Sequence, residues 1–534
     1  METNDNSVLN TMIDTLSKMG PLLLGGGGLF GFIRWRKENR NFDIKMNEIK
    51  KQNRQLRNSL ISYVPRKSLD NAMEEFLKSN YIVCAILGPA GSGKTRFAQN
   101  ITKRNSFFSK YHYIYINEKS GTFFSSEDFK KNYIVNGNRK YVFIFDYVFE
   151  NVIAINNLLE KVQGGKHKFI FLERDYGWTA QRLLDRPEYE IVMEQHNMDQ
   201  EKLSEVFCNQ VRILNKKLVR GALKETANQY AEAIIHRIDP IYSRPIFAQL
   251  IAEIFVRDTN FNLNNIDNVS EIVEQYWHYK FDEKKIFSII RNNLENVDSY
   301  FIERLEILLR LILLTASITK ERILITKKDT IFFKIDNSKT VDNNKFNEII
   351  VESCEEIFID KLNLLGEKAV RQLFGTILKD YMKLGNRGSI STFEVVAELD
   401  LITEWVLCDS LKSDSMWIKQ ITSFLSISYK ENYNAFITRG TIDFIDLVQL
   451  FATETGQNEF VGLLTQRINE AYLSNQQFEK IIIRDIVAKA KELFDEENYK
   501  IIIFSALTEI KKCYINSGNR ELTEHLCEIM ECDK

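Results

Sequence analysis

A run of eight residues has the types and the spacing of a phosphate-binding loop. It reads GPAGSGKT, which matches the pattern G-x-x-x-x-G-K-[ST] in full. The apolar run YIVCAIL before it predicts a buried strand, and TRFAQNITK after it predicts the start of a helix. In that setting backbone N–H groups surround phosphate oxygens, Lys94 reaches the β- and γ-phosphates, and Thr95 offers its hydroxyl to Mg²⁺. The residues predicted to bind ATP or ADP are Gly88, Pro89, Ala90, Gly91, Ser92, Gly93, Lys94 and Thr95.

The second chemical feature is an acidic residue at the end of an apolar run. YVFIFDY predicts a buried strand that delivers the candidate catalytic residue Asp146 at its carboxyl end. There the carboxylate can share Mg²⁺ with Thr95, through water. The next residue is Tyr147, so the usual adjacent general base is missing, and hydrolysis is expected to be slow. Glu150 is the nearest substitute base, although a solvated loop position suits it better.

Arg174 is the third candidate catalytic residue. KHKFIFLERD predicts a strand that ends at Arg174, whose side chain could face the γ-phosphate. The alternative is a surface salt bridge with Glu173 or Asp175. YHYIYIN and YEIVME predict two further strands, and helices between the strands imply parallel pairing. The expected fold of this part is therefore an α/β P-loop NTPase core with a five-stranded, mainly parallel sheet.

The base of the nucleotide is expected to be adenine. ILITKKD imitates the Thr-Lys-x-Asp guanine-binding motif of GTPases. However, this heptapeptide lies far beyond the predicted sheet, and no Asp-x-x-Gly motif accompanies the acidic strand.

Composition and charge exclude several classes of protein. The 534 residues suggest three or four domains, and 44% hydrophobic with 27% charged residues is ordinary for a globular chain. The net charge is −2, and outside a basic stretch at 34–57 the chain is mildly acidic, which argues against nucleic acid as a partner. The 7 cysteines include no Cys-x-x-Cys pair, so neither a disulfide framework nor structural zinc is expected, and a reducing cytosol suits the chain.

The amino terminus, residues 1–35, is a glycine-rich candidate membrane segment. Residues 19–33 carry no charge, yet as a helix they would be about 22 Å long, shorter than a bilayer core of about 30 Å. Trp35 and the basic cluster of Arg34, Arg36, Lys37 and Arg40 favour contact with an inner bacterial membrane, with the bulk of the chain in the cytoplasm. The alternative is a glycine-rich loop packed on a neighbouring subunit of a cytoplasmic protein.

Residues 36–62 predict an amphipathic or coiled-coil helix. The positions spaced by four and three residues are Phe42, Met46, Ile49, Asn53, Leu56, Leu60 and Tyr63. A polar residue among apolar ones, here Asn53, commonly sets the register of a coiled coil. The pattern favours a homo-oligomer, and one amphipathic helix lying on its own domain is the alternative.

The motifs in this order resemble a bacterial STAND-type signalling ATPase, a relative of AAA+ proteins and of the NB-ARC and NACHT switches. SYVPRKSLDNAMEEFLKSN is similar to the segment in which an arginine, here Arg66, approaches the nucleotide, and GKTRFAQ adds Arg96 to the binding residues. IFDYVFENVIAINNLLEKV and KFIFLERDYGWTAQRLL resemble a branch in which Arg174 would be the sensor. YSRPIFAQLIAEIF resembles the lid segment whose proline, here Pro245, closes over the nucleotide. The resemblance implies ADP held in a closed monomer, and opening and assembly with ATP.

The carboxyl half predicts mostly helices. IERLEILLRLILLTAS followed by the apparent hairpin ERILITKKDTIFFKID suits a winged-helix module, and the later amphipathic helices suit an all-α, solenoid-like domain. The expected division is 1–35 membrane segment, 36–62 amphipathic helix, 63–200 NTPase core, 201–265 helical lid, 266–360 winged-helix-like region and 361–534 α-helical sensor domain.

Together these features favour a weak ATPase that acts as a switch at a membrane. Its helical half would sense a protein or phage-derived trigger, in defence against phage. The alternatives are a cytosolic regulator whose winged helix binds DNA and an AAA+-like remodelling ATPase.

Overall fold

A computed structural model gives the architecture of the chain. It describes residues 63–104, 111–116, 140–146, 167–173, 189–215, 220–240, 243–262, 266, 269–280, 283–290, 298–319, 321–336, 341–377, 382–386, 392–397, 401–403, 405–406, 409, 416–429, 508, 511, 515, 523–524 and 527.

The first sheet has five strands, which all run parallel. They are β1 (Val83–Leu87), β2 (His112–Ile116), β3 (Tyr141–Phe145), β4 (Lys168–Glu173) and β5 (Tyr189–Val192). Their order across the sheet is β2-β3-β4-β1-β5. β1 and β4 are buried at every position, as expected of central parallel strands with both faces covered. The predicted five-stranded sheet is confirmed, and its pairing is wholly parallel.

The helix α1 (Lys67–Lys78) is tied to the amino ends of these strands. Lys168, at the start of β4, donates from Nζ to carbonyls of the last turn of α1 and of the chain after it, those of Phe76 (2.8 Å), Ser79 (3.0 Å) and Tyr81 (2.7 Å). A cation at this end of a helix satisfies carbonyls and complements the negative end of the helix dipole. Lys168 is therefore buried without being unpaired.

Three helices and one π-helical turn follow the sheet. They are α3 (Gln200–Leu214), α4 (Arg220–Ala233), the π-helix Ile234–Ile238 and α5 (Pro245–Arg257); the helix α2 (Lys94–Ile101) precedes them, directly after the loop that follows β1. α3 begins at an N-cap, because the side chain of Asp199 accepts a hydrogen bond from the N–H of Lys202 (2.9 Å). α3 packs on both α4 and α5, with Phe207, Tyr230 and Phe255 in mutual ring contact.

Helices and a second sheet make up the rest of the described chain. They are α6 (Val269–Lys280), α7 (Glu283–Ile290), α8 (Ser299–Thr319), β6 (Ile323–Lys327), β7 (Ile331–Ile335), α9 (Asn343–Cys354), α10 (Glu356–Leu364), α11 (Glu367–Ile377), β8 (Met382–Asn386), β9 (Thr392–Ala397) and α12 (Met416–Ser428). α8 is the longest of these helices and is buried along most of its length, which matches its apolar sequence. The predicted β6–β7 hairpin is present and antiparallel.

The second sheet corrects the expected fold of the carboxyl half. Its order is β7-β6-β9-β8, so β6 pairs with β9 as well as with β7. Residues 361–534 were expected to be all-α, and β8 and β9 contradict this. TFEVVA has the alternation and the β-branched residues of a strand, but its partner β6 lies outside the predicted sensor domain. The winged-helix and solenoid assignments and the domain boundaries stay predictions.

Asparagine side chains close the outer edge of β7. The alternate N–H groups of Ile331, Phe333 and Ile335 donate to the side-chain oxygens of three asparagines, which come from α9 and α10. The acceptors are Asn363 (2.7 Å), Asn347 (3.1 Å) and Asn343 (2.8 Å). This asparagine ladder satisfies the donors that an edge strand otherwise leaves open.

Several predictions fall outside the described residues. These are the membrane segment 1–35, the amphipathic helix 36–62 and most of 430–534. Among the helices that the structure does describe, none combines the length and the apolar character needed to cross a membrane. The imitation of a guanine-binding motif has a structural role, since Lys327 Nζ donates to the carbonyls of Lys328, Asp329 and Asn363.

Candidate functional site

The loop between β1 and α2 has a backbone that only glycine adopts easily. Gly88, Gly91 and Gly93 have φ angles of 152°, 77° and 97°. Side chains are strained in this region because Cβ crowds the following carbonyl. Neighbouring residues also leave no room for a side chain at these three positions. A Cβ on Gly88 would meet Met193, one on Gly91 would overlap Ile246, and one on Gly93 would lie 2.9 Å from Arg66 Nη2. The three glycines predicted to bind phosphate therefore have the backbone geometry that such a loop requires.

Lys94 and Thr95 open α2 at the positive end of its dipole, where anions bind. Lys94 Nζ lies against the loop and donates to the carbonyls of Gly88 (2.5 Å) and Pro89 (3.0 Å). Thr95 is exposed, and its Oγ1 donates to Oδ2 of Asp146 (3.0 Å). The structure thus brings the predicted hydroxyl and carboxylate into contact and places the predicted lysine against the loop.

A tyrosine that the sequence did not single out also binds Asp146. The hydroxyl of Tyr115, in β2, donates to the same Oδ2 at 2.6 Å. The donor lies on the strand next to β3, and the N–H of Asp146 donates to the carbonyl of Ile116 (3.1 Å). The carboxylate is therefore held from its backbone and from two hydroxyls.

Arg66 binds a backbone carbonyl of the loop. Its guanidinium donates to the carbonyl oxygens of Ser92 (2.5 Å) and His196 (3.1 Å), so it bridges the loop and the segment after β5. Both acceptors are neutral, and no carboxylate pairs with Arg66 among the residues that the structure describes. Burial lowers the pKa of Arg66 to about 10, an effect that Tyr63 partly opposes, so the side chain stays cationic at neutral pH. Its Nε atom is buried without a hydrogen-bond partner.

His196 is neutral beside this cation. Burial and then the charge of Arg66 lower the pKa of His196 from its ordinary value. Its Nδ1 and the hydroxyl of Ser92 are two further buried polar atoms without a partner. Unsatisfied polar atoms are uncommon in native interiors. Here Arg66 Nε, His196 Nδ1 and the Ser92 hydroxyl make three such atoms in or beside one loop. Such a group of atoms fits a site that receives a polar ligand.

The lid segment lies directly on the loop. Pro245 begins α5, the position at which its missing N–H costs nothing, and its Cγ is 3.5 Å from where a Cβ on Gly93 would lie. Arg244 forms a buried ion pair with Asp239 (Nε to Oδ2, 2.9 Å). Its guanidinium also donates to the carbonyl of Ala90 (3.4 Å). The chain before α5 is thus attached to the loop by both packing and hydrogen bonds.

The structure leaves the roles of three other predicted site residues as predictions. Glu150 and Arg174 lie outside the described residues, and Arg96 is exposed on the first turn of α2. Sequence reasoning missed Tyr115, Met193, His196, Arg244 and Ile246. The alternating tyrosines of YHYIYIN were a signal for Tyr115, because strands next to the acidic strand end at the same edge of the sheet.

The donor set fits a nucleotide with magnesium. Mg²⁺ prefers one or two protein oxygens together with water and phosphate, and Thr95 and Asp146 supply such a pair. The described residues contain no group of three or more His, Cys, Asp or Glu side chains that would form a dedicated metal cage. In the presence of a nucleotide these two residues would hold Mg²⁺, which would neutralise phosphate charge.

Comparison with known proteins yields distant likenesses only. The chain matches no family model and no curated protein. A Walker-type ATPase of Pyrococcus abyssi is 11% identical over 65% of this chain and 96% of its own, with a TM-score of 0.27. A RuvB variant of Thermotoga maritima is 14% identical over 62% and 91%, with a TM-score of 0.24. A STAND protein with a tetratricopeptide repeat sensor from Pyrococcus horikoshii is 14% identical over 88% and 82%, with a TM-score of 0.19. At these values the likenesses assign neither a family nor an activity.

Proposed function

We propose that the chain is an ATP- and ADP-binding, Mg²⁺-dependent switch of the STAND type with slow hydrolysis. The observation that carries the proposal is the direct packing of the lid on the phosphate-binding loop. Ile246 occupies the space beside Gly91, and Arg244 binds the carbonyl of Ala90. Because atoms of the lid contact atoms of the loop, a ligand that shifts the loop changes the free energy of lid closure.

The nucleotide chemistry rests on five groups. Lys94 and the N–H groups of the loop would bind phosphates, while Thr95 and Asp146 would hold Mg²⁺. Arg66 adds a buried positive charge whose partners are carbonyls, and a phosphate or ribose oxygen would satisfy its free Nε. Slow hydrolysis follows from Tyr147, which stands where the usual adjacent base is expected.

The binding part is tested by Lys94→Ala, with Lys67→Ala as the matched control at an exposed lysine. A charge-assisted hydrogen bond contributes about 1.5–3 kcal/mol, so the Lys94 variant should bind a fluorescent ATP analogue roughly 10- to 100-fold more weakly. The control should bind it as the unchanged chain does. Equal affinity for all three proteins would contradict a phosphate role for the loop.

The switching part is tested by hydrogen exchange at residues 234–257 with ADP and with a non-hydrolysable ATP analogue. ADP should protect the π-helix and the first turn of α5, and the ATP analogue should release them. ATP turnover should lie well below the median enzyme value of about 10 s⁻¹. Identical exchange with both nucleotides would remove the switch while leaving nucleotide binding intact. Action at a membrane, a trigger bound by the helical half and defence against phage stay predictions.

A further inference from the structure

We propose that Tyr115 is a positioning residue that sets the affinity of the nucleotide site for magnesium. This inference deepens the proposed function and rests on it. Asp146 Oδ2 accepts two hydrogen bonds, from Thr95 Oγ1 at 3.0 Å and from the hydroxyl of Tyr115 at 2.6 Å. A hydrogen bond from a hydroxyl to a carboxylate is strong at this length.

The two donors hold the carboxylate in different ways. Thr95 is exposed and is itself the expected magnesium ligand. With its proton directed at Asp146, the lone pairs of its oxygen are left to face a cation. Tyr115 is 2% exposed, so its hydroxyl supports Asp146 from within the core. The hydrogen bond from Tyr115 therefore fixes the carboxylate of Asp146, and it does not involve Thr95 Oγ1, the oxygen expected to bind the metal.

The phenol of Tyr115 is itself rigidly held. Its ring belongs to the core cluster that covers this face of the sheet, together with Tyr113, Val142 and Ile144. Tyr115 is paired with Ile144 across β2 and β3, and the ladder continues to the N–H of Asp146. The distance between the phenol and the carboxylate is thus set by strand register. Such outer partners orient a metal ligand before the metal arrives.

Loss of this hydroxyl should weaken magnesium binding selectively. Removing an outer partner of a metal ligand typically costs about 10- to 100-fold in metal affinity. In Tyr115→Phe the Mg²⁺ concentration that gives half-maximal tightening of ATP binding should rise about tenfold. The affinity for ATP in EDTA should not change, because Tyr115 is not predicted to contact the nucleotide.

The experiment is a Mg²⁺ titration of a fluorescent ATP analogue bound to the full chain. Tyr113→Phe is the matched control, since it removes the same group from the same face of β2, two residues away. A shift for Tyr115→Phe alone, at an unchanged melting temperature and unchanged affinity in EDTA, supports the proposal. A titration identical to that of the unchanged chain overturns it and leaves the proposed function standing.

Two further results overturn the proposal in other ways. Equal loss of affinity in Mg²⁺ and in EDTA, or the same shift in Tyr113→Phe, would mean that the hydroxyl supports the fold and not the metal. If the unchanged chain bound no ATP at any Mg²⁺ concentration, the proposed function itself would fail, and the inference with it.

Discussion

Gly91 shows how one residue can serve two surfaces of a loop. Its φ of 77° allows the loop to curve, and its missing Cβ makes room for Ile246 of the lid. Phosphate-binding loops need the first property, whereas lid contact needs the second. At the residue scale, therefore, the same glycine couples the nucleotide site to the helices behind it.

The first prediction is that Gly91→Ala loosens the lid. The change costs about 1–2 kcal/mol for a side chain at positive φ, and its Cβ displaces Ile246. Hydrogen exchange at the first turn of α5 should rise. Gly366→Ala is the control, because a Cβ there meets nothing within 4 Å. In Gly91→Ala combined with Ile246→Ala the closest contact, with Ile246 Cγ2 at 2.2 Å, is removed and the one with Cβ at 2.9 Å remains, so the double variant should recover part of the protection. No recovery would contradict the contact.

The second prediction concerns the pH dependence contributed by His196. Its pKa is lowered in the folded state by burial and then by Arg66, so the unfolded chain binds more protons near its ordinary value of about 6.5. The stability that His196 contributes is therefore present above about pH 6.5 and lost as the pH falls through the window below it.

Melting temperatures between pH 8 and pH 5 measure this effect. His196→Asn should lose less stability on acidification than the unchanged chain. Gln195→Asn, at the exposed neighbouring residue that does not titrate, is the control and should follow the unchanged chain. Equal pH profiles for the unchanged chain and His196→Asn would contradict the assignment.

Local pattern predicted the loop, the lysine, the threonine and the acidic strand end. Those residues are adjacent in sequence or lie at the carboxyl ends of parallel strands of one sheet, so motif and periodicity reach them. Arg66 was expected to approach the nucleotide, yet it binds the carbonyl of His196, 130 residues away. No local pattern encodes such a contact, because it depends on how α1 and β5 meet in three dimensions.

At the scale of elements, the asparagine ladder satisfies the open backbone donors of β7 in the second sheet. β7 is an edge strand, and unpaired edges invite pairing with other chains. The asparagines accept from alternate N–H groups and so stand in for a missing strand. A short apolar strand such as IFFKI has high β-propensity and would readily pair with another chain if its edge were open. The asparagines prevent this by occupying its free N–H groups.

The third prediction is that Asn347→Ala leaves the N–H of Phe333 without its hydrogen-bond acceptor. A buried donor without an acceptor costs about 1–3 kcal/mol, so both the melting temperature and the exchange protection of that amide should fall. Asn344→Ala, at an exposed asparagine of α9, is the control and should stay within about 0.5 kcal/mol. Unchanged protection of the Phe333 amide would show that the ladder does not carry this bond.

Element types were predicted better than element partners. The five parallel strands follow from apolar runs of the right length, and the β6–β7 hairpin follows from its local turn. β8 and β9 were missed because the region around them is rich in helix patterns and their partner strand β6 precedes them by three helices. Long-range pairing of this kind is not visible in a window of ten or fifteen residues.

At the scale of the whole molecule, one arginine joins distant segments of the carboxyl half. Arg310 of α8 lies over the rings of Trp277 and Trp405, at 5.4 Å and 5.2 Å from their centres. It also pairs with Glu306 (2.8 Å) and Asp409 (2.7 Å). The stretch ELDLITEWVL therefore contributes Trp405 to a structural contact.

The fourth prediction concerns residues 1–35. If the uncharged run at 19–33 and the basic cluster after it contact a bilayer, the full chain should sediment with membranes, and the chain that lacks 1–35 should not. Fractionation of cells that express each form measures this, with Lys94→Ala in the full chain as a control that keeps the segment. If both lengths of the chain stayed in the same fraction, residues 1–35 would not be a membrane segment.

The two ends of α1 give the core a mechanical property. Lys168 anchors the carboxyl end of this 12-residue helix to the sheet, while Arg66, just before its first residue, holds the carbonyl of Ser92. The helix is about 18 Å long and links the amino end of β4 to the phosphate-binding loop. A force applied at one of these attachments would be transmitted through α1 to the other, so the helix acts as a strut between them.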